Sequence, residues 1–108
     1  MMFDMYCIEK ILAGEKTVTR RLPKGKRPAV PGKIHKLKAD RTPKTYGLIL
    51  ITDCYLGMIA DIDEKEAQKE GFSSRKEYID YFMDINDIDI LSDYDLVWVV
   101  EFELLING

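Results

Sequence analysis

The run Ile11-Leu12-Ala13-Gly14-Glu15-Lys16-Thr17-Val18-Thr19-Arg20-Arg21 decides how this chain is read. Just upstream and into it, Phe3, Cys7, Ile8, Ile11 and Leu12 recur at helical spacing, with Glu9 and Lys10 on the opposite side. That pattern predicts a short amphipathic helix over roughly residues 3–13. Gly14 ends it as a C′ residue. The β-prone residues that follow predict a strand over Thr17–Leu22. Lys16 stands at the corner between the two elements. In a regular strand Lys16 and Thr19 would face opposite sides; they converge only if Lys16 belongs to the turn.

Arg20 and Arg21 open a cationic segment. From Lys16 to Lys44 there are eleven Lys or Arg against one acid, Asp40, so this stretch is near +10 while the whole chain is −3. The asymmetry points to an anionic partner on one face, with RNA or a nucleotide first in line, against a merely solvated basic surface. Lys24, Lys26 and Arg27 sit in a Pro- and Gly-rich loop, Pro23–Gly32, and Lys36 and Lys38 sit in the next strand, Lys33–Ala39. In that strand Ile34, Lys36 and Lys38 share one face, and His35 and Leu37 the other.

Beyond the Asp40–Lys44 turn, Tyr46–Leu56 is almost continuously apolar, as expected of a strand covered on both faces, and Gly57 is read as its break. Asp63 with Glu66, and Ser74 with Glu77, are capping pairs for two short helices, the first closed by Gly71. Leu96–Leu105 is the clearest strand, with Leu96, Trp98, Val100, Phe102 and Leu104 on one face and Glu101 and Glu103 on the other. Leu48, Leu50, Trp98, Val100 and Phe102 are the expected core. Residues 1–108 form one domain. The expected class is α+β or mainly β, with the strands curling into a small barrel and short helices packed at its openings. Spacing alone leaves an open sheet equally available.

The longest apolar runs are too short to cross a bilayer and Met1–Ile8 carries no basic leader, so the expectation is a cytoplasmic protein with no membrane partner. Cys7 and Cys54 lack CxxC spacing and read as buried free thiols. With His35 as the single histidine, a multi-histidine metal site is excluded, and His35 itself reads as structural.

The residues also permit a chemistry. A lysine desolvated beside two arginines loses its proton more readily, and its neutral amine can take a proton from a threonine hydroxyl. Glu70, ahead of Gly71-Phe72, is a carboxylate able to orient that lysine or shuttle a proton. The plain alternative is a β-prone threonine pair beside an exposed lysine. Tyr46, Tyr78 and Tyr81 offer stacking surfaces for a base.

The Ile11–Arg20 run resembles the signature of the ASCH domain, a member of the PUA-like superfamily. Ala67-Gln68-Lys69-Glu70-Gly71-Phe72-Ser73-Ser74 is similar to that family's helix-to-helix segment, and Val97–Leu104 to its terminal strand. Pro31-Gly32-Lys33-Ile34 sits where the family has a Gly-Asp turn, here Gly32-Lys33. The resemblance implies a PUA-like β-barrel and an RNA-related role. One subfamily is an amidohydrolase that removes the acetyl group of N(4)-acetylcytidine, and its motif maps a catalytic lysine onto Lys16, a threonine onto Thr19 and a glutamate onto Glu70. The implied reaction has Thr19 as nucleophile and Lys16 as base, with Glu70 orienting Lys16 or protonating the leaving amine, and Arg20 or Arg21 facing the oxyanion. It calls for no metal and no cofactor. The rivals are a non-catalytic RNA-binding module using the basic face Arg20–Lys44 and a ribonuclease on the same scaffold.

Overall fold

Asp4 starts the first helix. Its side chain accepts a hydrogen bond from the Cys7 amide at 2.8 Å, and helix α1 runs over Met5–Leu12. Gly14, at φ +78°, turns the chain out of it as expected of a C′ glycine. The computed structural model describes residues 1–107. In it, strand β1 (Met2–Phe3) precedes α1, so Phe3 belongs to a strand and not to the helix. Strands β2 (Val18–Arg21), β3 (Ile34–Ala39) and β4 (Thr45–Met58) follow. A 3-10 turn (Ile59–Asp61), helices α2 (Glu64–Lys69) and α3 (Arg75–Ile85), and strand β5 (Leu96–Asn107) complete the chain. The side chains of Asp63 and Ser74 cap α2 and α3, accepting from the amides of Glu66 and Glu77.

The five strands form one mixed sheet in the order β1-β3-β4-β5-β2, with β1 parallel to β3 and the other pairs antiparallel. The expected α+β class holds, but the sheet is not closed into a barrel. Its two edge strands are short, two and four residues, and no backbone ladder joins them. A side chain crosses between them instead: Arg21 of β2 donates to the Met2 carbonyl of β1 at 2.9 Å.

Both faces of the sheet are covered. Cys7, Ile8 and Ile11 of α1 pack with Leu37, Ile49, Ile51, Val100 and Phe102. On the other face Ala67, Tyr78 and Phe82 of α2 and α3 pack with Val18, Val97 and Val99. Alternation along β5 thus feeds two cores, where one had been expected. Of the expected core residues, Val100 and Phe102 are buried, whereas Leu48, Leu50 and Trp98 are only half-buried. A continuous apolar run does not declare which face is inner, and in β4 Ile49 and Ile51 take the inner positions. Gly57 does not break β4, which continues to Met58. A Cβ there would lie 3.1 Å from Val99 Cγ2, so the glycine permits close cross-strand packing.

Candidate active site

Lys16 lies outside the β2 ladder, in the turn that leaves α1. Its amide donates to the Lys10 carbonyl at 3.2 Å, and the next amide, of Thr17, donates to the Lys69 carbonyl at 2.8 Å. That second bond docks the end of α2 on the turn and brings Glu70, the C-cap residue, beside Lys16. Lys16 Nζ donates to Glu70 Oε1 at 2.5 Å and to the Val18 carbonyl at 2.9 Å, with a longer contact of 3.5 Å to the Glu70 carbonyl. Three acceptors match the three hydrogens of an ammonium.

Glu70 Oε2 is occupied as well, accepting from Arg20 at 3.1 Å. The other guanidinium nitrogen of Arg20 donates to Glu66 Oε1 at 2.7 Å. Glu66 and Glu70 are four apart and so share one face of α2. Lys16, Arg20 and Glu70 are all buried, and their charges are matched within the cluster as buried charges must be. Burial alone would lower the pKa of Arg20, but the Glu70 and Glu66 carboxylates outweigh it and raise it.

A cavity of about 290 Å³ opens over this cluster. It lies at the seam where the sheet fails to close, with Met2 and Phe3 of β1 on one side and Thr19, Arg20 and Arg21 of β2 on the other. Lys16 and Glu70 also line it, so Lys16, Thr19, Arg20, Arg21 and Glu70 meet in one place. Thr19 is buried as a residue; among the described residues no group engages its hydroxyl in a hydrogen bond. Thr17 is exposed. Arg21 differs from Arg20: it contacts the Met2 carbonyl, lies 4.9 Å from the centre of the Phe3 ring, and has no carboxylate in ion-pair contact among the described residues. Burial lowers its pKa.

The remaining basic residues do not line this cavity. Lys24, Lys26 and Lys36 are exposed, Lys38 donates to the Pro43 carbonyl at 3.3 Å, and Arg27 donates to the Cys54 carbonyl at 2.5 Å. His35 is half-buried on β3, its pKa lowered by burial, and also lies outside the cavity. Both cysteines are free and buried. No helix is long and apolar enough to cross a membrane among the described residues.

No protein-family model and no curated protein matches the chain. Solved structures do. The ASCH domain of Lactobacillus crispatus superposes with a TM-score of 0.67 over 92% of this chain and 70% of its own, at 19% identity. The ASCH protein of Zymomonas mobilis gives 0.61 over 100% of this chain and 66% of its own, at 18% identity. The chain has the ASCH fold. A DUF984 protein from Enterococcus faecalis shares it as well, with a TM-score of 0.69 over 95% of this chain and 72% of its own, at 16% identity.

On this ASCH fold, sequence reasoning passed over Asp4, and read Tyr81 only as a stacking surface and Cys7 only as a buried thiol. Tyr81 of α3 donates its hydroxyl to Asp4 Oδ2 at 2.5 Å and lies 3.1 Å from Cys7 Sγ. The bond ties α3 to the start of α1 across the cavity rim. Asp4 is held below the usual carboxylate range: burial opposes this, but the Tyr81 and Cys7 hydrogen bonds prevail. Burial pushes the Cys7 thiol and the Tyr81 phenol up, and Tyr78 is pushed up further by Glu70. The sequence signal for Asp4 was its place one residue before the helix, as an N-cap.

Proposed function

We propose that this ASCH-fold protein is an amidohydrolase of a modified nucleoside, with N(4)-acetylcytidine as the preferred substrate. One observation carries the reading. A threonine hydroxyl without a protein partner shares a cavity with a lysine clamped by a buried carboxylate. The lysine–threonine–glutamate set is that of the amidohydrolases this sequence resembles. The cavity is at the small end of ligand pockets, which suits a nucleoside. The cations Lys16 and Arg20 are already matched by Glu70 and Glu66, which favours an uncharged acyl-amine over a phosphate.

In this mechanism Thr19 Oγ1 attacks the acetyl carbonyl and Lys16 Nζ takes the hydroxyl proton. A neutral lysine keeps two hydrogens, enough for Val18 and Glu70 Oε1, and gives up the 3.5 Å contact. Glu70 receives hydrogen bonds at both oxygens, so it orients Lys16 and does not act as the acid. The oxyanion falls to Arg21, since Arg20 is engaged by two carboxylates. Collapse breaks the amide C–N bond, the proton on Lys16 passes to the departing amine, and water then hydrolyses the acetyl ester on Thr19.

The test is incubation of purified protein with N(4)-acetylcytidine, with and without chelator, and chromatographic detection of cytidine. Release in both cases is expected; no release from folded protein refutes the reading. A non-catalytic RNA-binding role is favoured by one observation, the exposure of Lys24, Lys26 and Lys36 outside the cavity.

A further inference from the structure

Glu66 does not line the cavity that holds Thr19. It faces a neighbouring cavity of about 270 Å³, which shares only Arg20 with the first. Its two oxygens are both used: Oε1 accepts from Arg20 at 2.7 Å and Oε2 from Lys69 at 2.8 Å. The charges therefore run in an unbroken alternating line, Lys16–Glu70–Arg20–Glu66–Lys69, from the cavity floor to the surface. Lys69, at the outer end, is about half exposed and lies in water, where its charge is screened. The inner three are buried, and taken alone they carry one surplus positive charge.

We infer that Glu66 is a positioning residue that sets the protonation of Lys16 from outside the cavity, by cancelling the charge of Arg20. With Glu66 ionised, Arg20 divides itself between two carboxylates and Glu70 is left free to bind Lys16. Without that charge, Arg20 leans wholly on Glu70 and the buried group holds an uncompensated cation close to Lys16. Both effects favour the neutral amine. The other groups that line the cavity with Lys16 are Glu70 at the end of α2, Arg20 and Arg21 from β2, Asp4 and Cys7 at the start of α1, Tyr78 and Tyr81 from α3, and Asp40 after β3, and none of them is substituted. Glu66 is itself held below the usual carboxylate range; burial opposes this, but Lys69 and Arg20 prevail, so it is ionised at neutral pH.

The inference about Lys16 rests on the amidohydrolase reading only for its kinetic consequence, and the experiment separates the two. Protein carrying ¹³C at lysine ε-carbons is titrated by NMR, with the Lys16 signal assigned by its loss in Lys16→Arg. Glu66→Gln should lower the midpoint of the Lys16 signal by about one pH unit. Glu66→Met, which also removes the charge, should lower it similarly, and decides the matter if the Gln variant does not fold. Glu66→Asp, which keeps the charge, should leave the midpoint near that of the unaltered protein. An unchanged midpoint in the charge-removing variants overturns the inference, as does a Lys16 signal that never titrates before unfolding in any of them. In turnover assays the acid limb of kcat/KM should move down by the same amount with KM within twofold. Absence of turnover strikes the amidohydrolase reading and leaves the NMR result to stand.

Discussion

Lys16 Nζ and Glu70 Oε1 stand 2.5 Å apart, each side chain 2% exposed, although 54 positions separate them in the chain. The pair survives burial because each partner has further hydrogen bonds: Lys16 to Val18, and Glu70 to Arg20. Removing the carboxylate strands Lys16 and leaves Arg20 with Glu66 alone. Glu70→Ala should therefore cost about 3–5 kcal/mol, measured by urea unfolding at neutral pH. A loss under about 1 kcal/mol would show that solvent reaches the pair.

Thr19→Ala should abolish turnover of N(4)-acetylcytidine while leaving the fold intact, because the hydroxyl supports no other group. Thr17→Ala should retain most activity, since that side chain is exposed and only its backbone is used. Lys16→Arg should be nearly as damaging as Lys16→Ala, because a guanidinium does not release a proton near neutral pH. Steady-state rates of the four proteins decide the assignment, and full activity in Thr19→Ala would overturn it.

Arg21 and Arg20 should part company. Arg21→Ala should lower kcat by about 10²-fold or more with little loss of stability, as expected for a group facing the oxyanion. Arg20→Ala should chiefly lower stability, because it leaves Glu66 and Glu70 short of a partner. Parallel kinetics and denaturation curves read the difference, and equal kinetic losses at normal stability would contradict it.

The Asp4–Tyr81 bond should appear at both ends of the pH range. Asp4 has a lowered folded pKa, so its stabilisation is present above the usual Asp value of about 4 and is lost as pH falls through the folded value. Tyr81 is raised, first by burial and then by Asp4, so its share is present below about pH 10 and is lost as pH rises beyond. Tyr81→Phe should flatten both limbs of a plot of melting temperature against pH. Unchanged limbs would mean that the bond is not made in solution.

If the exposed basic residues engage RNA, affinity should fall steeply with salt as condensed counterions are released. Replacing Lys24, Lys26 and Lys36 by alanine should flatten the slope of log Kd against log salt. Arg27 is a poorer target, because its guanidinium is already engaged by the Cys54 carbonyl. A filter-binding series at several salt concentrations checks this, and a slope unaltered by the triple substitution would remove the basic face from consideration.

Local signals read well from the sequence. Gly14, Asp63 and Ser74 end or begin helices as their chemistry requires, and the turn position of Lys16 is the one condition under which it meets Thr19. Long-range choices were hidden. Leu48 and Ile49 are equally apolar, so nothing local says that Ile49 faces inward, and the register shift between them moves the pattern again. Val97 and Val99 read as the outer face until α2 and α3 cover it. The docking of Glu70 depends on a backbone bond from Thr17 to Lys69, which no side-chain pattern reports. The resemblance supplied that residue; spacing did not.

The pairing of β2 has a consequence for how the molecule comes into being. Its ladder partner is β5 alone, with Thr19 opposite Val100. A chain emerging from the ribosome therefore holds Thr19 and its arginines without their ladder partner until Leu96–Asn107 has been made. Closing so long a loop is slow relative to local helix formation. Helices α1, α2 and α3 can form early, but the clamp around Lys16 is among the final events of folding. Chains that stop short of Leu96 would thus carry every residue of the cavity and yet have no cavity.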